Sequence, residues 1–365
     1  MMKDKKSKIF CKICFLLVCV MLMGALITAC GDDNEGPKND ATEKAENTSV
    51  STQSVSESTL EAATAVPTAE PTAESTPEPT PVPTAEPTPV PTEEPVNYPV
   101  EGPYIDVSKI KRIYVYPGES SVADNGLVNS ANGWKSSDES VATVSSSEGK
   151  LVVKGNKTGL SKLTNSTTGE TVLAYVIERA AQTDENKKID GINYFLYYEK
   201  GSHTLTVYAL DKDGYYTIPV RTINAACGSV PSKTPTGVHY LSGSESGRQR
   251  WLSFGKYIQA QYGISYKSGV WLHSTCYSEF RENSVLSHYY NTIGENSTGG
   301  CIRMQVGEIK WIWENCPGGT ALQIVNGNPR GTTSEAPADI SDSAMFDPTD
   351  PAYLDYLYRA GYLKK

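Results

Sequence analysis

Residues 31–100 constrain this chain more than any other segment, because they contain few of the large apolar side chains that a folded core requires. Twelve of the 22 prolines lie between Pro37 and Pro99, interspersed with threonine, serine, alanine and glutamate. Such a segment buries too little apolar surface to offset the entropy lost on ordering. Its proline near-repeat at 77–92 favours extended polyproline II. We therefore predict a disordered acidic Pro/Thr/Glu-rich linker at 31–100 and expect the folded domains after it.

The negative charge of the chain also comes from this linker. Residues 31–100 contain fourteen Asp and Glu but two Lys, an acidic excess larger than the formal net charge of −9 of the whole chain. The remainder is close to neutral and has no basic patch. The sequence therefore predicts no nucleic-acid partner.

Residues 1–30 have the pattern of an export signal. Five lysines in the first twelve residues precede an apolar stretch at 13–26, shorter than the ~20 residues of a typical spanning helix. The following LITAC at 26–30 resembles a bacterial lipoprotein signal, which implies lipidation of Cys30. The alternative is an uncleaved membrane anchor with a chance cysteine. Both interpretations place the rest of the chain outside the cytoplasmic membrane, and we expect a lipid-anchored protein that reaches from its outer face into the cell wall.

Residues 101–182 alternate apolar and polar side chains in short runs. We predict strands at 110–116, 141–144, 151–155 and 171–176, separated by turns rich in Gly, Ser and Asn. This spacing indicates a small β-sandwich. WKSSDESVATV at 134–144 and GKLVVKG at 149–155 resemble bacterial immunoglobulin-like domains. The resemblance implies that 101–182 is a spacer or a wall-binding module.

The alternation resumes at about residue 187. Strands are predicted at 194–198, 204–208, 216–220 and 270–274, followed by a short helix whose apolar face is formed by Val306, Ile309, Ile312, Trp313 and Cys316. The expected fold class is mainly β, with a β-sandwich-like domain at 187–326 that carries this helix on its C-terminal side. Residues 327–365 are predicted to be a polar tail with a short helix, for which we assign no function.

Cys301 is the candidate nucleophile of this domain. The glycines Gly299 and Gly300 before it let a substrate approach the backbone closely, and we expect unpaired N–H groups of the turn to stabilise a thiolate. A nucleophilic thiol needs a base, and the chain has four histidines. His273 ends a predicted strand 28 positions before Cys301 and is the best placed. His288, in the polar segment between them, is a weaker candidate.

Five short motifs then resemble the L,D-transpeptidase catalytic domain family (YkuD type) in order and spacing. They are TPTG at 234–237, LHS at 272–274, STGGCIRM at 297–304, WIW at 311–313 and GT at 319–320. The resemblance covers 187–326 and implies that His273 is the general acid/base, oriented by the backbone carbonyl of Ser274. The family pattern has a histidine two positions before the cysteine, where this chain has Gly299. We expect this departure to leave the base in place and to change how the substrate is positioned.

The resemblance implies a cysteine acyltransferase that joins peptidoglycan peptide stems by 3→3 crosslinks through a Cys301 thioester. The N–H groups of Gly300 and Cys301 are the candidate oxyanion donors, and Arg303 would fix the loop or a substrate carboxylate. Weaker candidates for substrate binding are Tyr262, Tyr266, Thr298 and Gly299. The expected partners are the peptidoglycan stems and, through the lipid anchor, the membrane, and we expect a monomer.

Several alternatives stay open. An L,D-carboxypeptidase would use water in place of the acceptor amine and trim tetrapeptide stems. A non-catalytic lipoprotein would bind the wall through the immunoglobulin-like domain. Cys301 would be a half-cystine if it paired with Cys227, Cys276 or Cys316, and a pair with Cys276 would be regulatory. Cys276, Cys301, His273 and His288 supply zinc-ligand types, but no close-spaced pair such as Cys-x-x-Cys organises them, so we predict no metal and no cofactor.

Overall fold

Short alternating segments dominate the sequence from residue 110 onward, and they form strands in the computed structural model, which describes residues 97–123, 126–230 and 232–364. The predicted signal segment, Cys30 and the linker up to residue 96 lie outside the described residues. The strands are β1 (Arg112–Val115), β2 (Ser120–Val122), β3 (Trp134–Ser136), β4 (Ala142–Ser147), β5 (Lys150–Gly155), β6 (Gly159–Asn165), β7 (Thr171–Val176), β8 (Tyr194–Glu199), β9 (Thr204–Leu210), β10 (Tyr216–Asn224), β11 (Cys227–Gly228), β12 (Gly237–Tyr240), β13 (Arg248–Gly255), β14 (Ile258–Lys267), β15 (Val270–Ser274), β16 (Cys276–Tyr277), β17 (Asn296–Thr298), β18 (Ile302–Met304) and β19 (Ala321–Val325). The helices are α1 (Ser287–Tyr290), α2 (Val306–Asn315) and α3 (Pro351–Arg359), and 3-10 turns lie at Asp184–Asn186 and Glu245–Gly247. The predicted mainly β fold is confirmed.

Strands β1 to β7 form two facing sheets. One has the order β1-β7-β6-β3 and the other β2-β5-β4. Side chains alternate between buried and accessible along β5 and β6, because successive residues of a strand point to opposite faces. The buried sides meet in one core that includes Val115, Leu151, Val153 and Leu163. Their assignment to the immunoglobulin-like class stays a prediction.

Strands β8 to β19 form the second folded region. One sheet has the order β10-β9-β8-β19-β12, and another has the order β13-β14-β15-β18, with β16 on β14. The core between them takes Leu196 and Val207 from the first sheet, Leu272 and Ile302 from the second, and Ile309 from α2. Helix α2 packs against β14 and β15 and directly follows β18, so it holds the end of the second sheet in place.

The C-terminal residues pack closely on the rest of the structure. Asp347 Oδ2 accepts a hydrogen bond from the Val306 N–H (2.9 Å), and Thr349 Oγ1 accepts one from the Gly307 N–H (2.9 Å). These contacts satisfy two of the unpaired donors at the start of α2. Asp350 then caps α3, whose Leu357 is fully buried. The tail is therefore part of the scaffold behind the site.

A buried group of charges joins the N-terminal sandwich to α2. Glu308 in the first turn of α2 lies 3.2 Å from Arg112 of β1 and also pairs with Arg221 of β10. Next to them, the Tyr114 hydroxyl and Thr222 Oγ1 are hydrogen-bonded at 3.1 Å. All three charged side chains are more than nine-tenths buried, so the pairs form in a low-dielectric environment.

No helix in the described ranges is long and apolar enough to cross a membrane.

Candidate active site

Two parallel strands bring the predicted nucleophile and base to the same face of one sheet. Strand β15 pairs with β18 so that Leu272 lies opposite Ile302 and His273 opposite Arg303. Leu272 and Ile302 point into the core, so His273 and Arg303 point to the other face. Cys301 directly precedes Ile302 and shares this second face. His273 lies opposite Arg303, and Cys301 lies two residues before Arg303, at the start of the neighbouring strand.

The His273 ring is held by its neighbour in sequence. Its Nδ1 lies 2.6 Å from the Ser274 carbonyl oxygen, so Nδ1 carries the proton and donates it. Nε2 is then the unprotonated nitrogen that can accept a proton. Ser274 is itself fixed, because its hydroxyl donates to Thr275 O (2.7 Å) and accepts from the Gln261 N–H (2.8 Å). The ring is 3% exposed and suits a general base with one tautomer.

Burial sets the protonation states of both groups. Desolvation raises the pKa of the Cys301 thiol, and the backbone N–H of Trp271, the Arg303 charge and the N–H of Cys301 itself oppose this rise. The pKa of His273 is lowered to about 3, mainly by desolvation and also by the Arg303 charge, against the hydrogen bond to Ser274. The resting pair is therefore a thiol and a neutral imidazole. The nearby N–H groups favour the thiolate, as expected, but burial outweighs them.

The turn before Cys301 is bonded internally. Thr298 Oγ1 accepts from the Gly300 N–H (3.1 Å) and donates to the Cys301 carbonyl oxygen (2.7 Å). The expectation that the Gly300 N–H is an oxyanion donor needs correction, because Thr298 occupies it. Among the described residues, the Cys301 N–H has no acceptor in a neighbouring residue, and it stays a candidate donor. Thr298 therefore shapes the turn.

The two glycines of this turn have different reasons to be glycine. Gly300 has φ +133°, and a Cβ there would lie 2.5 Å from the Lys233 carbonyl oxygen, so no other residue fits. A Cβ at Gly299 would meet no heavy atom within 4 Å. Gly299, where the family pattern has histidine, is thus exposed and leaves open space beside the nucleophile.

Arg303 fixes the segment that precedes the turn. One of its guanidinium nitrogens, Nη2, donates to Thr292 Oγ1 (2.7 Å) and to Ser297 Oγ (2.8 Å), and the group lies 5.3 Å from the Tyr289 ring centroid. Arg303 is 2% exposed. Of its two expected roles, these contacts support the fixing of the loop.

The two tyrosines proposed for substrate binding make packing contacts. Tyr266 is buried, and its hydroxyl donates to the Gly300 carbonyl oxygen (3.1 Å). The Tyr262 ring packs 5.8 Å from Trp313 of α2 and 4.2 Å from the Arg250 guanidinium carbon. The expectation of substrate binding is corrected for Tyr266, because its side chain is buried and its hydroxyl is bonded to Gly300. For Tyr262 it stays a prediction.

The four cysteines of the described part are free and buried. Burial raises the pKa of Cys276 to about 12 and that of Cys316 to about 12, so both are poor nucleophiles. The described ranges contain no group of three or more His, Cys, Asp or Glu that could hold a metal ion. His288 lies on α1 and is exposed, with its ring against Tyr289.

Sequence reasoning missed two features beside the site. The Phe254 ring, 41% exposed at the end of β13, lies 4.8 Å from the His273 ring, so the β13–β14 hairpin forms one wall of the site. Thr234 Oγ1 donates to the Gly300 carbonyl oxygen (2.8 Å). An aromatic residue directly before Gly255 was the available signal for the first. For the second, the TPTG motif contains Thr234, but nothing local identifies its partner, because 66 residues separate the two.

Comparison with known proteins finds a family match for part of the chain. Residues 193–325 match the model of the L,D-transpeptidase catalytic domain (YkuD). No curated protein matches the chain.

Several solved structures are similar over part of the chain. An L,D-transpeptidase from Mycobacterium smegmatis is 13% identical, with 61% of this chain and 98% of that chain covered and a TM-score of 0.29. A fused Zn-dependent amidase/peptidase/peptidoglycan-binding domain-containing protein from Clostridium acetobutylicum is 20% identical, with 41% and 67% covered and a TM-score of 0.29. An L,D-transpeptidase from Stackebrandtia nassauensis is 15% identical, with 41% and 62% covered and a TM-score of 0.28. At these scores we draw no conclusion from the three structures. The family match is the informative comparison: residues 193–325 are similar to the L,D-transpeptidase catalytic domain.

Proposed function

We propose that the chain joins peptidoglycan peptide stems by 3→3 crosslinks, with Cys301 as nucleophile and His273 as general acid/base. The observation that supports this most is the buried His273 ring on the same face as Cys301. Its Nδ1 is bonded to Ser274 O, so Nε2 is the nitrogen free to take a proton. The match of residues 193–325 to the L,D-transpeptidase catalytic domain gives the class of substrate.

The first step is acylation. His273 Nε2 takes the thiol proton as the Cys301 sulfur attacks the amide carbonyl between stem residue three and the terminal D-Ala. The oxyanion accepts a hydrogen bond from the Cys301 N–H. The C–N bond then breaks, the leaving amine takes the proton from His273, and the third residue remains as a Cys301 thioester.

The second step is transfer to an acceptor. The side-chain amine of a diamino acid in another stem attacks the thioester carbonyl, and His273 takes a proton from this amine. The C–S bond breaks, and the sulfur recovers the proton from His273. Each step requires His273 to be neutral at its start, because only an unprotonated Nε2 can take a proton.

The location belongs to the same proposal. We propose that Cys30 is lipidated and holds the chain on the outer face of the cytoplasmic membrane. The linker at 31–100 and the sandwich at 101–182 would then set the reach of the catalytic domain into the wall. The order of segments in the sequence supports this arrangement.

The test is a reaction of the purified full chain with disaccharide–tetrapeptide stems, followed by mass spectrometry. We expect an acyl-enzyme on Cys301, release of D-Ala and a 3→3 dimer. Cys301→Ala should abolish all three, and Cys276→Ala, which removes a neighbouring buried thiol, should retain them. Formation of tripeptide without dimer would show that the chain hydrolyses the thioester and does not transfer it to a second stem. An absence of acyl-enzyme in the wild type would overturn the proposal.

A further inference from the structure

The carbonyl of Gly300 receives an unusual number of side-chain hydrogen bonds for a loop residue. Thr234 Oγ1 donates to it at 2.8 Å, and the Tyr266 hydroxyl donates at 3.1 Å. Both donors are buried, at 1% and 5% exposure. Both lone pairs of this oxygen are therefore used, and its direction is fixed from two sides.

A fixed carbonyl also fixes the N–H group of the same peptide. The peptide between Gly300 and Cys301 is planar, and in a trans peptide the C=O and N–H point in opposite directions. The Gly300 oxygen points toward Thr234 and Tyr266, so the Cys301 N–H points away from them. This N–H belongs to the same residue as the sulfur, and it lowers the pKa of the Cys301 thiol.

The two donors have little freedom to turn elsewhere. Thr234 Oγ1 accepts a hydrogen bond from the Gly228 N–H at 2.8 Å, which leaves its one proton for Gly300. The Thr234 carbonyl is held by the buried Lys200 Nζ at 3.0 Å. Burial and the nearby Cys301 raise the pKa of Tyr266 far above its usual value, so its hydroxyl stays a donor.

We propose that Thr234 and Tyr266 are positioning residues that aim the Cys301 N–H at the oxyanion formed during acylation. Neither touches the substrate, and each acts through the peptide between Gly300 and Cys301. The inference rests on the proposed function, because that function supplies the oxyanion. The Gly300 N–H already donates to Thr298 Oγ1, so the Cys301 N–H is the one oriented donor left at the sulfur.

The experiment compares two reactions of the same sulfur in the full chain. Acylation by a tetrapeptide stem builds an oxyanion, whereas alkylation by iodoacetamide does not. Tyr266→Phe removes one oxygen and keeps the ring. We expect it to lower kcat for acylation about tenfold, a fraction of the loss on removing an oxyanion donor, with KM and the alkylation rate unchanged. Thr234→Val should act in the same direction and Thr234→Ser should restore activity, while Tyr240→Phe, at 58% exposure, is the matched control.

The outcomes separate the two proposals. Equal losses in acylation and alkylation would indicate a general structural role and overturn the inference, as would unchanged acylation in both variants. If the wild type is not acylated, the proposed function fails. The peptide orientation is then tested by NMR, where the Gly300 carbonyl carbon should shift in Tyr266→Phe and stay unchanged in Tyr240→Phe. An unchanged shift in Tyr266→Phe would overturn the inference.

Discussion

At the scale of single residues, burial decides the chemistry of the site. Cys301 and His273 both lie where water is excluded, and desolvation disfavours the charged form of each. In our proposal the thiol is therefore deprotonated during the attack and is not stored as a thiolate. This arrangement limits side reactions of the sulfur with small electrophiles, because the thiolate is the reactive form.

This protonation state predicts a pH profile. The pKa of Cys301 is raised above its ordinary value, so the thiolate is a minority at neutral pH, and its fraction grows about tenfold per pH unit. We expect the rate of Cys301 alkylation by iodoacetamide, followed by peptide mass spectrometry, to rise from pH 6 to pH 9 without a plateau. His273→Gln should show the same profile, because the neutral imidazole does not stabilise a thiolate. A plateau below pH 7 would instead indicate a thiolate–imidazolium pair.

At the scale of elements, α2 is held at its first turn by several distant parts of the chain. The helix follows β18 without a long connection, and its first turn is held by Asp347, Thr349 and the charge pairs of Glu308. Gly307 belongs to this packing, because a Cβ there would lie 2.9 Å from Val107 Cγ2 and 3.0 Å from the Thr349 carbonyl oxygen. Three separate parts of the chain thus meet at the start of one helix.

Glu308 provides the test at this scale. Glu308→Ala would leave the guanidinium groups of Arg112 and Arg221 buried without a carboxylate, and breaking a buried pair in this way costs about 3–5 kcal/mol. We expect a loss of this order in the free energy of unfolding, measured by urea denaturation. Glu314→Ala breaks the exposed pair with Lys310 on the same helix and should cost under about 0.5 kcal/mol. Equal effects of the two substitutions would contradict the importance of the buried contact.

The elements were well predicted where a local pattern specifies them. The predicted strands at 194–198, 204–208 and 270–274 lie within or at β8, β9 and β15, and the apolar spacing after Cys301 corresponds to α2. The β13–β14 hairpin was missed. Its residues Trp251, Gln259 and Gln261 break a simple alternation, and their environment depends on partners distant in sequence.

At the scale of the whole molecule, buried contacts hold the separate folded regions together. Among the described residues, the sandwich, strands β8 to β19 and the tail are joined by contacts such as Arg112–Glu308 and Glu101 with the Met345 N–H. The linker and the lipidation site precede this part of the chain. In our proposal the anchor supplies the location, and the folded part supplies the chemistry.

The anchor is tested by fatty-acid labelling of cells that express the full chain. Cys30→Ser should abolish incorporation of a labelled fatty acid and release the protein from the membrane fraction, because acyl chains supply the apolar contact. Cys19→Ser, within the apolar stretch, should retain both. Labelling that persists in Cys30→Ser would show that the lipoprotein interpretation is wrong.

The sequence by itself determined the mainly β fold, and it predicted Cys301 and His273 from motifs that resemble L,D-transpeptidases, because alternation and residue order are local properties of the chain. The tertiary structure decided the protonation of these two groups, the occupied N–H of Gly300 and the use of Tyr262 and Tyr266 in packing. Each of these depends on which distant side chains surround a residue and how much water they exclude. Burial and long-range hydrogen bonds arise only when strands far apart in sequence pair and pack.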